Sequence, residues 1–86
     1  MVMNERRIDE RRRKDEAGLI AIDEHTTLPC IVYDISASGV RLILPETALV
    51  PDTFILHSAC IEGIEVCRVV WRSDETIGAT FSRTAA

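Results

Sequence analysis

Eighty-six residues, 47% of them apolar and 28% charged, suffice for one small domain near the lower size limit for a self-sufficient hydrophobic core. A net charge of −4 with only 5% aromatic residues argues against a broad nucleic-acid-binding surface. No run approaches the roughly 20 apolar residues of a membrane span, and the charged N-terminus lacks the apolar stretch of a signal peptide, so a cytoplasmic location is expected.

The first fourteen residues are too polar to bury. Six of the ten basic residues lie there (Arg6, Arg7, Arg11, Arg12, Arg13 and Lys14), whereas the chain from Ala17 onward sets four arginines against nine acids. Residues 1–14 therefore read as a flexible, Arg-rich arm, 15–83 as the folded domain and 84–86 as a tail. A basic arm on an acidic body implies an anionic partner met at one spot.

The domain reads as a succession of strands. Apolar residues from Ala17 to Ile22 predict the first, within 15–24, and Asp23 to Thr26 predict a turn. Thr27 to Asp34, carrying Leu28, Cys30, Ile31, Val32 and Tyr33, predicts the second. Asp34 to Gly39 is a corner of small polar residues, and Gly39 to Leu44 resumes as a third strand. Pro45 and Pro51 bracket a loop.

Asp52 to His57 predicts a fourth strand, with Phe54 and Leu56 on one face and Ile55 and His57 on the other. Glu62 to Arg72 alternates Ile64, Val66, Arg68 and Val70 against Glu65, Cys67, Val69 and Trp71. After a turn at Ser73 to Glu75, Thr76 to Ser82 closes the chain with Ile77, Ala79 and Phe81 on one face. Six strands at spacings of about ten residues, with no helical period, predict an all-β antiparallel sandwich or small barrel.

Cys30, Cys60 and Cys67 form an odd set without a CxxC pair, and His25 and His57 supply no metal-ligand spacing. Buried thiols and no metal or cofactor are the expectation. No nucleophile motif, phosphate-binding loop or HExxH is present, so no enzyme activity is expected.

The corner carries more polarity than a hairpin requires. Asp34 and Ser36 can bond backbone amides of the turn, and Gly39 suits either a positive φ or a close approach. In the arm, Arg7 and Arg11 stand four residues apart, flanked by Arg6 and Arg12. Guanidinium groups are planar, permanently charged and suited to phosphate and to the O6/N7 edge of guanine. A carboxylate accepts from the opposite guanine edge. These are parts for recognising a guanine nucleotide.

Arranged as RxxxR (Arg7 to Arg11) and, about twenty residues later, DxSxxG (Asp34 to Gly39), they resemble the PilZ domain of bacteria. CRVVWR (Cys67 to Arg72) and IGATF (Ile77 to Phe81) are similar to the closing strands of short PilZ proteins. The resemblance implies a six-stranded antiparallel β-barrel with little or no C-terminal helix, and a receptor for cyclic di-GMP. It implies that Arg7 and Arg11 grip guanine and phosphate while Asp34, Ser36 and Gly39 hold the other side. Arg6, just ahead of the motif, leans towards a stacked ligand pair rather than a single molecule. The arm lacks the apolar residues that usually follow these arginines in the family.

Plainer readings stand beside these. Arg12, Arg13 and Lys14 read as a solvated run, Asp34 and Ser36 as turn-formers, His57 as structural, and Trp71 as core or rim packing. Arg41 and Arg72 serve a phosphate only if they face the corner. Three functions follow: a cyclic di-GMP receptor that passes a changed surface to a downstream protein, an adaptor that no longer binds nucleotide, and a small nucleic-acid-binding barrel.

Overall fold

The structure, a computed structural model, describes residues 10–82. Six antiparallel strands form a closed barrel: β1 (Arg12–Ala21), β2 (Thr27–Ile35), β3 (Gly39–Ile43), β4 (Thr53–Ser58), β5 (Ile64–Arg72) and β6 (Thr76–Phe81). Around the barrel they run β1-β2-β3-β6-β5-β4, and β4 pairs with β1 to complete the ring. Closure removes the unpaired edges that a sheet of this size would otherwise present. Among the described residues no helix is long and apolar enough to cross a membrane.

Five of the six strands fall within two residues of the sequence expectation. The first begins at Arg12 rather than Asp15, so Arg12, Arg13 and Lys14 belong to a strand rather than to the arm, and all three are solvated as expected. Inward positions alternate as the side-chain period of two requires: Ile20, Cys30, Val32, Val40, Leu42, Phe54, Leu56, Cys67, Ile77 and Ala79 fill the interior. Leu44 and Val50, from the β3–β4 connection, close one end, and Ile61, from the β4–β5 turn, closes the other. Burial at this interior pushes the Cys30 thiol up to about 12, as an unreactive core cysteine.

The β3–β4 connection contains a 3-10 turn, Thr47–Leu49. Arg72 pins it: Nη1 donates to the carbonyls of Thr47 and Val50, both at 2.7 Å, and Nη2 bonds Asp52 at 3.1 Å. Arg72 therefore faces the loop, not the Asp34–Gly39 corner.

Strict alternation breaks at three points, each a β-bulge. The β1–β2 register shifts between Arg13 and Glu16, where Asp15 adopts φ +52°, a left-handed conformation that Asp tolerates better than most residues. The β2–β3 register shifts between Val32 and Asp34, and the β5–β6 register between Val69 and Trp71. Each extra residue reverses the face taken by everything beyond it.

Candidate functional site

Bulges bring Asp34 and Trp71 onto the outer-face row that Arg41 and Gly78 occupy by plain alternation. Simple alternation from Cys30 and Val32 would drive Asp34 into the apolar core, where an unpaired carboxylate is strongly disfavoured. The bulge at Tyr33 turns it outward instead, opposite Arg41. Alternation from Cys67 and Val69 would likewise bury Trp71, and the bulge at Val70 places it outside, opposite Gly78. Arg13 pairs with Asp34 on the other side. Arg41 is also the cross-strand partner of Gly78. The result is a continuous register line across five strands: Arg13, Asp34, Arg41, Gly78, Trp71.

Asp34 is the electrostatic centre of this line. Its side chain is 6% exposed, yet two guanidinium groups saturate it. Arg11 Nη1 donates to Oδ1 at 3.0 Å; Arg41 Nε donates to both oxygens at 3.0 Å, and Arg41 Nη2 bonds Oδ2 as well. The bonds from Arg41 hold the carboxyl below the usual carboxylate range; partial burial opposes this and Arg11 reinforces it. Two cations on one anion leave a local excess of positive charge, with both arginines still about two-fifths exposed (37% and 42%) and able to donate outward.

Tyr33 stiffens the arrangement. The Arg13 guanidinium sits over its ring at 4.5 Å from the centroid, and that of Arg41 lies 5.7 Å away. Arg13 is also held by Asp15 in the bulge, through Nε at 3.2 Å from Oδ1.

At the other end of the line, Trp71 lies over Gly78 so closely that a Cβ at Gly78 would collide with the indole ring. The ring occupies the place that a side chain at position 78 would take. Trp71, 44% exposed, forms one wall of a cleft of about 300 Å³ that Arg11, Gly39, Arg41 and Thr80 also line. Cationic donors and an aromatic face therefore border the same space.

The residues singled out from sequence divide clearly. Arg11 and Asp34 meet directly, and Gly39 lines the adjoining cleft. Gly39 takes no positive φ; it is needed because a Cβ would strike the Ala79 carbonyl of β6. Ser36 is 8% exposed and serves the turn: Oγ accepts from the Gly39 amide at 3.3 Å and the Ser38 amide at 3.4 Å, while the Ser36 amide donates to the Gly39 carbonyl at 2.9 Å. Arg6 and Arg7 lie outside the described residues, as does most of the arm.

Four participants escaped the sequence reading: Arg13, Tyr33, Gly78 and the outward orientation of Trp71. Arg41 was left open there and belongs at the centre. One signal was available, since an acid at the third inward position of an apolar strand demands either a strand end or a bulge. His57, expected to be structural, is exposed on the outer face of β4.

No protein-family model matches the sequence, and no match to it is found among the curated proteins compared with it.

Proposed function

We propose that this barrel is a receptor for a guanine dinucleotide of the cyclic di-GMP class, bound across the outer-face line from Arg13 to Trp71. The observation that carries the reading is the juxtaposition, in one cleft, of outward guanidinium donors on Asp34 and the exposed face of Trp71 over Gly78. Phosphate and the O6/N7 edge of guanine both suit a planar guanidinium, and a purine ring suits an indole.

Asp34 acts here as the group that orients Arg11 and Arg41, because its lone pairs are already taken. A bound phosphate relieves the carboxylate of part of that task, freeing it for the amide edge of a guanine. Arg6 and Arg7, close in sequence to Arg11, add charge from the arm. Binding thus joins the arm to the barrel and changes the surface offered to a downstream protein.

A second reading is a barrel that contacts proteins without binding nucleotide. It is favoured by Ser36 and Gly39, whose identities the turn and the β6 carbonyl explain without a ligand.

Calorimetric titration with cyclic di-GMP, repeated on Arg11→Ala and Asp34→Ala, decides between them. Binding at micromolar or tighter affinity, lost in both variants, supports the receptor. Absence of heat and of any rise in melting temperature eliminates it and leaves the adaptor. Equal affinity for single-stranded oligonucleotides, with steep salt dependence, would instead make this a general nucleic-acid barrel.

A further inference from the structure

The other half of the barrel exterior is apolar without a folding reason. The interior is already filled, yet Leu19 (47% exposed), Ile31 (40%), Ile43 and Ile64 (51%) all point away from it. The register joins them into one band. Ile43 pairs with Ile31, Pro29 with Leu19, Leu19 with His57, and His57 with Ile64. The band thus crosses β3, β2, β1, β4 and β5, and a groove of about 430 Å³ runs along it beside Pro29, Ile31, Ile43 and Pro45. Contiguous exposed apolar surface of this kind marks an interaction site.

The border of the band sets the chemistry of its partner. Glu75 lines the groove, Glu46 follows Pro45, Glu62 precedes the β5 end of the band, and Asp23 and Glu24 form the β1–β2 turn; all five are exposed. Among the described residues, Arg68 follows on β5, and Arg12 and Lys14 line a depression with Cys60 past the β4 end of the band, away from Glu75, Glu46 and the β1–β2 turn. An acidic border repels the headgroups of an anionic membrane and, facing itself across a two-fold axis, repels a second copy. A closed barrel has no free strand edge for a peptide to extend, so docking must proceed through side chains.

We infer that this band docks a basic amphipathic helix of a partner protein, its apolar face on Leu19, Ile31 and Ile64 and its lysines or arginines on the acidic border. The assignment is independent of nucleotide binding. The band and the charged line share strands β1 to β3 and β5, with Tyr33 two residues from Ile31, so a ligand on one side lies close to the partner on the other.

The test is an amide-resolved NMR titration of the full chain with an 18-residue helix-forming Leu/Lys peptide. A Leu/Glu peptide of the same pattern, a scrambled Leu/Lys peptide and phosphatidylglycerol vesicles serve as the other arms. Saturable shifts around Leu19, Ile31 and Ile64 with the Leu/Lys helix alone are expected. Leu19→Thr and Ile31→Thr, exposed positions at which melting temperature should hold, each weaken binding about tenfold, a change of about 1.4 kcal/mol. Glu75→Gln weakens it severalfold, and Leu49→Thr, outside the band, leaves it unchanged.

The inference is overturned if the Leu/Glu or scrambled peptide or the vesicles bind equally well, if the shifts fall elsewhere, or if the threonine variants bind as wild type. Self-association through the same residues, seen as concentration-dependent shifts without peptide, would give the band to a second copy and overturn it too.

Discussion

Asp34 faces Arg41 across β2 and β3, and both of its oxygens accept from Arg41 Nε at 3.0 Å. With Arg11 added on Oδ1, the carboxylate is held below its ordinary range by the bonds from Arg41 first. The unfolded carboxyl takes up its proton near pH 3.9, roughly, the folded one only at lower pH. The cluster therefore contributes its full stability above about pH 4 and loses it as pH falls through the folded value. Asp34→Asn should lower stability at neutral pH by about 1–2 kcal/mol, since both arginines are partly solvated. Urea midpoints measured against pH check this: the gap between wild type and variant should narrow below about pH 4, and a constant gap would refute the pairing.

Trp71 is the only tryptophan in the chain, so intrinsic fluorescence reports directly on the cleft. Gly78→Ala inserts a Cβ where the indole sits, and the flexible side chain rather than the β6 backbone gives way. The emission maximum should shift to the red as the ring enters solvent. Cyclic di-GMP affinity should fall with it, by about tenfold if the ring supplies a stacking face worth about 1–3 kcal/mol. An unshifted spectrum in a folded variant would mean that the ring does not rest on Gly78.

The strands were legible because alternation survives in single-sequence patterns: Phe54 and Leu56 turn inward, Ile77 and Ala79 likewise, and the turns at Asp23 and Ser73 carry their polar signals. The corner was legible for the same reason. What alternation cannot reveal is its own interruption. The bulges at Asp15, Tyr33 and Val70 lie at a non-glycine residue, an aromatic and a valine, none of which signals a register shift. The outward placement of Asp34 and Trp71 depends on those shifts, whereas Arg41 and Gly78 take the outer face by plain alternation. Alternation alone assigns Trp71 to the face of Cys67, whereas it lies on the outer line; Arg13, expected in a solvated run, is exposed and lies on that line too. Ser36 and Gly39 were legible as special residues, but their work is internal to the turn and to β6.

As neighbours on β1, Arg13 and Arg12 face opposite ways and are inequivalent. Arg13 pairs opposite Asp34 and stacks on Tyr33, whereas Arg12 pairs opposite Ile35 and lines a depression with Ser36 and Cys60. Arg13→Ala should weaken cyclic di-GMP binding about tenfold, the loss of one charge-assisted contact. Arg12→Ala should change it less than about twofold, the residual effect of a screened charge. Tyr33→Leu should resemble a weak Arg13→Ala, since an exposed cation–π contact contributes about 0.5–1 kcal/mol. Titrations of the three variants at one ionic strength suffice, and equal losses at Arg12 and Arg13 would mean that net charge, not position, governs binding.

Arg72 separates stability from binding. Its guanidinium satisfies the carbonyls of Thr47 and Val50 and reaches Asp52, and it lies away from the charged line. Arg72→Ala leaves two carbonyls of the β3–β4 connection without their donor and loosens Val50, one of the residues closing the barrel end. Stability should fall by about 1–3 kcal/mol, the range for bonds to a charged donor. Arg72→Lys should recover only part of that, because an ammonium group cannot reproduce the fixed fork of the guanidinium. Below the lowered melting temperature, ligand affinity should match wild type in both variants. Thermal melts paired with calorimetry test this, and loss of affinity in a fully folded Arg72→Ala would bring the residue into the site.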